Sequence, residues 1–431
     1  VMFEYEFTVA PVPDPVTPDV DRTFYWHGKA SPAYFKASIG PLLGDLGAVN
    51  NRNIDLVRIA AAVLAADRSA SRSGSLSRWN QRDISLTVDV LAATPWNDVR
   101  GDLERLLGFL TGDIWHFTFR RRTGNPEQIG TVGIDAKRAV LLSGGADSAT
   151  GALLSARELA ARGEKHVLVS HWASPTLSPL QTRIAKEIER LAPGAQADHV
   201  KVHLARGRRS PSGASYGREN SSRSRSFLFI ALGLAVASVN NIPLWIPENG
   251  YASINPPLSR SRRGSLSTKT THPKFLGDLV SLLDSIGAHS DLVNPYADIT
   301  KGEMFAQVRD AFGAEEASTF LSETSSCSHT GAKTYGISPK VACGVCFGCV
   351  LRRASFAASG VADTTTYLVP NGAKQTAWVK DKSVIPAMRD FLREPFGESD
   401  FARLQLPSGV SLAEVNELCR RGREELRSLS L

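Results

Sequence analysis

The chain lacks any apolar run that approaches the length of a membrane-spanning helix, and cysteine and methionine are scarce in it. Only 5 of its 431 residues are cysteine, and no charged segment followed by an apolar one opens the sequence. We therefore expect neither a membrane protein nor a secreted domain held by disulfides, but a cytoplasmic protein. Apolar residues make up 42% of the chain, which is enough for sizeable cores. The length predicts about two to three domains.

Acidic residues are fewer than basic ones, and the net charge of +7 is compatible with ATP or nucleic acid as a partner. Two segments are especially rich in basic residues and poor in acidic ones. The first holds one acid, Glu219, against Arg206, Arg208, Arg209, Arg218, Arg223 and Arg225. The second has no acid between Glu248 and Asp278 but contains Arg260, Arg262, Arg263, Lys269 and Lys274. Such segments are commonly solvated loops.

The most informative segment is a glycine-containing loop that joins a buried strand to a helix. Residues 138–142 form a short aliphatic run that predicts a strand, and residues 149–161 have leucines at helical spacing. Between them, Gly144 and Gly145 have no Cβ, so an anion could approach the free N–H groups at the helix N-terminus. A tight connection with an N-cap is the simpler alternative. A Walker loop is excluded, because its glycine spacing is absent and no lysine follows.

Four of the five cysteines lie close together in the sequence. The spacing C-x15-C-x2-C-x2-C places them at Cys327, Cys343, Cys346 and Cys349. Two Cys-x-x-Cys steps can direct three thiolates to one centre, and the fourth can complete the tetrahedron of a structural Zn²⁺ site. An iron–sulfur cluster is the main alternative, and His329 could replace one thiolate. Cys419 lies far away in a predicted C-terminal helix, where we expect a small buried side chain.

The loop and the cysteines together resemble one known family. The SGGADS sequence of residues 143–148 resembles the pyrophosphate loop of the N-type ATP pyrophosphatases, in which ATP is cut between its α and β phosphates. Residues 343–352, CGVCFGCVLR, resemble the C-G-x-C-x-x-C-x-L-R motif of the 7-cyano-7-deazaguanine synthases, often called QueC. Further matches lie at residues 223–231, 271–276, 300–303 and 324–327.

Three departures from this family fall in the part that would handle the small substrate. Ser224 stands where the family has asparagine, and His272 stands where it has arginine. The D-Y-G-Q that follows the second strand in the family is replaced by residues 171–175, HWASP. The ATP-handling half of the resemblance is therefore the stronger half.

The predicted elements after residue 131 alternate between strand and helix. Strands are predicted at 138–142, 166–170, 200–204 and 242–246, and helices at 149–161, 181–191, 226–239 and 273–286. This order predicts an α/β fold with a doubly wound parallel sheet and a nucleotide at the carboxyl ends of its strands. The resemblance implies the same fold, that of the adenine nucleotide alpha hydrolase-like proteins.

We expect four units along the chain. They are an N-terminal α+β domain (1–131), the ATP pyrophosphatase domain (132–310), a small four-cysteine zinc subdomain (311–360) and a helical tail (361–431). In the first unit, His116 lies in a predicted strand and is expected to be packed rather than reactive. Because the glycine loop and the cysteines fall in different units, we expect the loss of one to leave the other intact.

The N-terminal unit itself carries a second resemblance. Residues 109–119, FLTGDIWHFTF, are similar to a stretch in the QueC-like proteins of prokaryotic antiviral gene clusters, which have an N-terminal extension of this kind. This resemblance implies that the family's activation chemistry is redirected toward a protein target in defence.

The family resemblance also implies a ligase reaction that begins with adenylation. ATP and Mg²⁺ would lie on the loop, at Ser143, Gly144, Gly145, Asp147 and Ser148. The carboxylate of 7-carboxy-7-deazaguanine would attack the α-phosphorus, pyrophosphate would leave, and an amine would then displace AMP. The residues expected to act in this reaction are Asp147, Ser148, Arg223 and Lys301, with the two cations offsetting phosphate charge. The altered 171–175 segment, the basic loops and the N-terminal unit favour an amine of a partner protein as acceptor.

Three other functions stay open. An ordinary synthase would use ammonia and make the nitrile. A pyrophosphate-loop enzyme that modifies tRNA would show tRNA-stimulated ATP cleavage, although the motifs do not favour nucleic acid as the partner. A non-catalytic partner-binding protein would release no pyrophosphate, and the intact loop argues against it. A homo-oligomer is compatible with the sequence.

Overall fold

The computed structural model describes residues 2–16, 18–72, 81–124, 127, 135–173, 177–219, 222–256, 269–327, 341–368, 384–397, 400–401 and 404–429. Its strands are β1 (Met2–Thr8), β2 (Thr23–Tyr25), β3 (Phe35–Ala37), β4 (Asp83–Val90), β5 (Ile114–Arg121), β6 (Arg138–Leu141), β7 (His166–Trp172), β8 (Gln196–Arg206), β9 (Leu244–Trp245) and β10 (Leu292–Val293). Its helices are α1 (Asn51–Asp67), α2 (Ala93–Asp98), α3 (Arg100–Thr111), α4 (Ala146–Ala160), α5 (Leu177–Leu191), α6 (Arg225–Asn240), α7 (Gly250–Ser253), α8 (Pro273–Ser285), α9 (Lys301–Phe312), α10 (Ala314–Ser322), α11 (Phe347–Ser359), α12 (Val384–Arg393) and α13 (Leu412–Arg427). Within these ranges no helix is both long and apolar enough to cross a membrane.

The N-terminal part forms a four-stranded sheet in which all strands are parallel, in the order β2-β1-β4-β5. Apolar residues at every second position build its inner face, with Ile84, Leu86 and Val88 of β4 fully buried. Helices α2 and α3 connect β4 to β5, as a parallel crossover requires. This part is therefore α/β, and the expected α+β arrangement is wrong.

The outer face of this sheet corrects a second expectation. His116 of β5 keeps 48% of its side chain exposed and lies 3.0 Å from the carboxylate of Asp83. The packed His116 expected from the sequence is therefore wrong. The reason is the alternation of β5, in which every second side chain from Ile114 onward faces solvent.

The second sheet has six strands in the order β10-β9-β6-β7-β8-β3. All of its pairs are parallel except β3 with β8, which are antiparallel. The α/β class is confirmed, but the sheet is mixed, and the wholly parallel sheet expected from the sequence is wrong at this edge. Strand β3 comes from the N-terminal part: Phe35 pairs with Arg206 and stacks on Trp26 with 5.7 Å between ring centroids. No local sequence pattern reveals a pairing over that separation.

Helix α1 joins the two sheets. Its residues from Asn53 to Asp67 are all buried, and it packs against β4 on one side and α6 on another. One apolar cluster contains side chains from both sheets, because a helix with so few polar residues must be covered on all sides. The boundary expected near residue 131 therefore does not separate two hydrophobic cores.

A buried ionic network reinforces this junction at the end of α1. The guanidinium of Arg82 lies 2.5 Å from Asp67 and 2.6 Å from Asp113, and all three side chains are inaccessible to solvent. Asp67 Oδ2 also accepts the N–H groups of Arg223, at 2.9 Å, and Ser224, at 3.0 Å. The N-terminal part thus caps the start of α6.

Strand β6 is central in the second sheet. From β6 the chain passes to β7 and β8 on one side, and it then crosses to β9 and β10 on the other. The strand order therefore reverses between β6 and β9. In open α/β sheets the crevice at the carboxyl ends of such strands is the usual ligand site, and α4 begins there.

The C-terminal tail packs against the start of α9. Helix α13 begins after Ser411, whose hydroxyl accepts a backbone N–H, and Cys419 is 1% exposed, as expected for a small buried side chain. Glu425 of α13 accepts the N–H of Gly302 at 3.0 Å. The tail therefore contacts the start of α9, the helix that carries Lys301.

Candidate functional site

The glycine loop turns sharply between β6 and α4. Gly144 has a φ of +92°, a conformation that favours glycine. The hydroxyls of Ser143 and Ser148 lie 2.9 Å apart, and Ser148 Oγ also accepts the N–H of Ser143 at 3.1 Å. Gly145 donates its N–H to Ser143 Oγ at 3.2 Å. The two serines therefore hold the loop closed at the N-terminus of α4, where the helix dipole attracts anions.

Asp147, in the first turn of α4, is bound from two sides. Lys301 Nζ lies 2.7 Å from Asp147 Oδ2, and Asn249 Nδ2 donates to Oδ1 at 2.9 Å. Lys301 is the first residue of α9, and the capping box of Thr300 and Glu303 fixes its position. The structure thus brings Lys301 to the glycine loop, about 150 residues away in the sequence.

Glu248 adds a second carboxylate to this group. It follows β9 and lies beside Asp147 and Lys301. Burial, and then the neighbouring charge of Asp147, raise the pKa of Glu248 to about 8, although Lys301 opposes the shift. Burial disfavours the charge of Lys301, but Asp147 and Glu248 outweigh it and hold the pKa of Lys301 above its ordinary value. The site therefore pairs two carboxylates with one ammonium group.

Sequence reasoning missed Glu248 and Asn249. The available signal was their place directly after β9, because the carboxyl ends of β6 and β9 meet at the point where the strand order reverses. Strand β9 itself is only two residues long, so the sequence offers little periodicity to locate its end.

The four cysteines converge, as the spacing predicted. The sulfur atoms of Cys327, Cys343, Cys346 and Cys349 all lie within 4.8 Å of one another, so that they could hold a metal ion such as zinc. A tetrahedron with Zn–S bonds of about 2.3 Å has edges of about 3.8 Å. The Sγ atoms of Cys343 and Cys349 lie 3.8 Å apart. This compact arrangement fits one ion better than a multi-iron cluster, whose core would spread the thiolates.

Backbone N–H groups surround the sulfur atoms, as around a bound thiolate. Cys343 Sγ is 3.2 Å from the N–H nitrogen of Cys346 and 3.4 Å from that of Val345, and Cys343 donates its own N–H to Cys327 Sγ at 3.4 Å. Gly348 is required here, because a Cβ at this position would lie 2.1 Å from the carbonyl oxygen of Ser326.

The segment that leads into Cys327 contacts the glycine loop. Ser325 donates its N–H to the carbonyl of Gly144 at 2.9 Å, only two residues before Cys327. The buried guanidinium of Arg352 holds the same segment by donating to Thr324 Oγ1 at 2.6 Å. Residues 324–327 therefore connect the cysteine cluster to the glycine loop.

Arg223 is the one expected site residue that the structure places elsewhere. Its guanidinium is buried and donates to the carbonyl of Thr111 at 2.7 Å. Among the described residues, no hydrogen bond or ion pair joins Arg223 to the glycine loop. The reason is the cap on α6: Asp67 binds the backbone of Arg223 and turns this residue toward the N-terminal part.

The departures from the family pattern have structural roles. Ser224 donates its hydroxyl to Asp67 at 2.7 Å. His272 caps α8 by accepting the N–H of Lys274, and its Nε2 lies 2.7 Å from the carbonyl oxygen of Leu404 in the tail. His171 has its Nε2 2.9 Å from the carbonyl oxygen of Leu204.

Some expected features lie outside the described residues. They are the alternative ligand His329, the end of the HWASP segment at Ser174 and Pro175, and three basic residues, Arg260, Arg262 and Arg263. Of the other basic residues in that segment, Lys269 lies over the ring of Phe109 at 3.8 Å, and Lys274 pairs with Asp278 at 2.7 Å.

In comparisons with known proteins, the chain matches no family model and no curated protein. The fold and the site geometry therefore define the chain only as an α/β protein. Its features are a glycine loop at the reversal point of a mixed sheet, a buried carboxylate and lysine group behind that loop, and four cysteines that could hold a metal ion.

Proposed function

We propose that this chain is an ATP-dependent ligase of the N-type ATP pyrophosphatase class, with a QueC-like reaction. In it, the carboxylate of 7-carboxy-7-deazaguanine, or of a closely similar small molecule, is adenylated and then transferred to an amine. The observation that carries the proposal is the junction of Asp147, Lys301 and Glu248 at the N-terminus of α4, behind the SGGADS loop. This is where a phosphate chain would need both anion-binding N–H groups and a counter-charge.

The two carboxylates suit a divalent cation. Asp147 and Glu248 offer oxygen ligands of the kind that Mg²⁺ prefers. Burial, and then the charge of Asp147, raise the pKa of Glu248, and a bound cation would relieve the repulsion between the two carboxylates. When bound, Mg²⁺ would offset the charge of the phosphates. Lys301, held by Asp147, would neutralise the charge that develops on departing pyrophosphate.

The bond changes are those of acyl adenylation followed by aminolysis. A carboxylate oxygen bonds to the α-phosphorus of ATP as the bond to pyrophosphate breaks. The amine nitrogen then bonds to the acyl carbon, AMP leaves with the carboxylate oxygen, and the amine loses a proton. The product is an amide. Ammonia as acceptor, followed by a second activation and dehydration, would instead give 7-cyano-7-deazaguanine, the product of the ordinary synthases.

We favour an amine of a partner protein as acceptor, in a cytoplasmic antiviral defence system. The support is the resemblance of residues 109–119 to defence-associated QueC-like proteins and the changed segment 171–175, whose first two residues are the last two of β7. There the buried His171 contacts the carbonyl oxygen of Leu204, and Trp172 stacks on His203 with 4.0 Å between ring centroids.

The cysteine site has a structural part in this proposal. Four thiolates would hold Zn²⁺ in a closed tetrahedron, and the ion would supply folding energy rather than reactivity. The residues between Thr324 and Cys327 would then be held against the glycine loop through Ser325.

Product analysis of ATP cleavage tests the proposal. The purified protein with ATP, Mg²⁺ and 7-carboxy-7-deazaguanine should form AMP and pyrophosphate, and a genetically linked partner protein should gain the mass of the deazaguanine amide. Asp147→Ala and Ser143→Ala should abolish AMP formation. Asp310→Ala, which removes an exposed carboxylate at the far end of α9, should not. ADP as the product would contradict the proposed ligase reaction. Efficient nitrile formation without any mass gain on a protein would contradict the proposed protein acceptor.

A further inference from the structure

The first turn of α9 places Lys301 in the candidate site, and a capping box starts that turn. The hydroxyl of Thr300 accepts the N–H of Glu303 at 3.2 Å, and the carboxylate of Glu303 accepts the N–H of Thr300 at 2.8 Å. Such a box fixes the direction in which a helix leaves the preceding segment. The position of Lys301 therefore depends on what holds Thr300 and Glu303.

Two side chains of the C-terminal helix α13 hold the two halves of this capping box. The hydroxyl of Thr300 donates to the carboxylate of Glu425, which also accepts the N–H of Gly302 at 3.0 Å. One turn earlier in α13, the guanidinium of Arg421 donates to the carboxylate of Glu303. The start of α9 is thus completed by a residue that lies 125 positions further along the chain.

The contact between Glu425 and α9 depends on the glycine that follows Lys301. A Cβ at Gly302 would lie 2.4 Å from Oε1 of Glu425, so a larger residue there would push the carboxylate away. Glu425 is half-buried, and its charge interacts with that of Lys301. A carboxylate at the N-terminus of a helix is also favoured by the helix dipole. Glu425 therefore serves as a cap for α9 that comes from another helix.

The same helix packs beside the second partner of Asp147, the side chain of Asn249. A Cβ at Gly422 of α13 would lie 2.4 Å from Cγ of Tyr251, so the missing side chain lets the tyrosine ring pack directly on the helix. Tyr251 is buried and lies two residues after Asn249. Helix α13 is itself anchored, because Leu426 is fully buried in an apolar cluster shared with α11 and α12. One anchored helix therefore contacts the segments that carry both partners of Asp147.

We propose that Glu425 is a positioning residue for Lys301 and that helix α13 is for this reason part of the candidate site. The inference rests on the proposed function, in which Lys301 offsets the charge of the departing pyrophosphate. Glu425 would act through Lys301 rather than on the phosphates, by holding the first turn of α9 so that the ammonium group reaches the glycine loop. A displacement of about 1 Å is enough to lose much of the benefit of an aligned charged group.

Equilibrium binding of inorganic pyrophosphate with Mg²⁺, measured by calorimetry on the full chain, tests the inference without turnover. Lys301→Met should weaken binding. Glu425→Ala should weaken it by about tenfold when Lys301 is present and should have no further effect in the Lys301→Met chain. Glu425→Gln removes the charge but keeps an acceptor oxygen for Thr300 and Gly302, so binding should stay within about threefold of the wild type.

Two more variants complete the design. Gly302→Ala displaces the carboxylate of Glu425 without removing it, and alanine favours the helix. It should therefore weaken pyrophosphate binding in the same way, even if Glu425→Ala folds poorly. Glu424→Ala is the matched control, because Glu424 is the exposed neighbour of Glu425 and pairs with Arg420 of its own helix. Binding should not change in this control.

The other outcomes overturn the inference. Equal losses for Glu425→Ala with and without Lys301 would mean that Glu425 only maintains the fold. Equal changes in Glu425→Gln and Glu425→Ala would assign the effect to charge rather than to position. A wild-type protein that shows the expected coupling but forms no AMP from the acid would support the positioning role and overturn the proposed ligase reaction, whereas a wild-type protein that binds no pyrophosphate would overturn both.

Discussion

Replacing Asp67 with alanine should destabilise the two halves of the molecule together. The carboxylate is fully buried and accepts from Arg82 at 2.5 Å, from the N–H groups of Arg223 and Ser224, and from the Ser224 hydroxyl at 2.7 Å. Breaking a buried ion pair costs about 3–5 kcal/mol, and loss of an N-cap costs about 0.5–2 kcal/mol. Because Asp113 still pairs with Arg82, we expect a total loss of about 4 kcal/mol, which is a large part of a typical stability of about 5–15 kcal/mol.

Urea unfolding followed by circular dichroism and tryptophan fluorescence measures this loss. Both signals should move together to lower urea concentration, because the buried Trp26, Trp96 and Trp115 belong to the core cluster that contains side chains of both sheets. Asp310→Ala, at an exposed ion pair with Arg309, should change the free energy of unfolding by less than about 0.5 kcal/mol. A loss below about 1 kcal/mol for Asp67→Ala, or two separate transitions in the wild type, would refute the shared junction.

Three further predictions concern the loop, the cysteines and acid stability. Gly144→Ala should cost about 1–2 kcal/mol for its positive φ and also abolish AMP formation, because its Cβ would lie 3.2 Å from Leu180. Gly163→Ala is the control, because Gly163 has a φ of +66° and open space around it. This variant should lose similar stability but keep AMP formation unchanged. Equal activity in both variants would contradict the role of the loop. Cys343→Ser should lose bound zinc and reduce AMP formation as well, whereas Cys419→Ser should keep about one zinc per chain; full activity without zinc would contradict the contact between the two sites. Acidification from pH 6.5 toward pH 4 should lower the free energy of unfolding, because burial keeps several histidines neutral in the fold. Each such histidine should contribute up to about 1.4 kcal/mol per pH unit. Unchanged urea midpoints between pH 7.5 and 5.5 would contradict this. These histidines include His166, with its pKa lowered to about 3, and His171, His199 and His272, with pKa values lowered to about 4.

The sign of the acid effect follows from the direction of these shifts. Burial lowers the pKa of each histidine below its unfolded value of about 6.5. The unfolded chain therefore takes up protons first as the pH falls, so the stability is present above pH 6.5 and is lost below it.

Local patterns in the sequence predicted the elements of this fold well. The alternation in β4 and β5 and the aliphatic run before the glycine loop correspond to strands, and the cysteine spacing corresponds to a compact cluster. These features depend on residues close in the chain, whose periodicity reports directly on burial.

The contacts between distant segments of the chain were much harder to predict from the sequence. The pairing of Phe35 with Arg206 and the binding of Asp67 to the start of α6 join residues about 150 or more positions apart, and no local periodicity encodes them. One signal was available: Asp55 and Arg58 are the only charged residues between 54 and 66, and so small a polar face predicts a helix covered on every side rather than the surface helix of a separate domain.

The candidate site also combines residues that local sequence identifies with residues that only the fold brings together. Ser143, Gly144, Gly145, Asp147 and Ser148 form a loop that sequence alone identifies. The pKa of Glu248, by contrast, is raised by burial and then by the charge of Asp147, and both arise only in the fold. Arg223 occupies a position of the family motif, yet its orientation depends on Asp67, a residue of the N-terminal part.

The most direct test of the central claim follows the oxygen atoms of the substrate. The protein would be incubated with ATP, Mg²⁺, the amine acceptor and 7-carboxy-7-deazaguanine labelled with ¹⁸O in both carboxylate positions, and the AMP would be analysed by mass spectrometry. Attack of the carboxylate on the α-phosphorus predicts that each AMP carries one ¹⁸O atom. Unlabelled AMP, or ADP in place of AMP, would contradict adenylation of the acid by this chain.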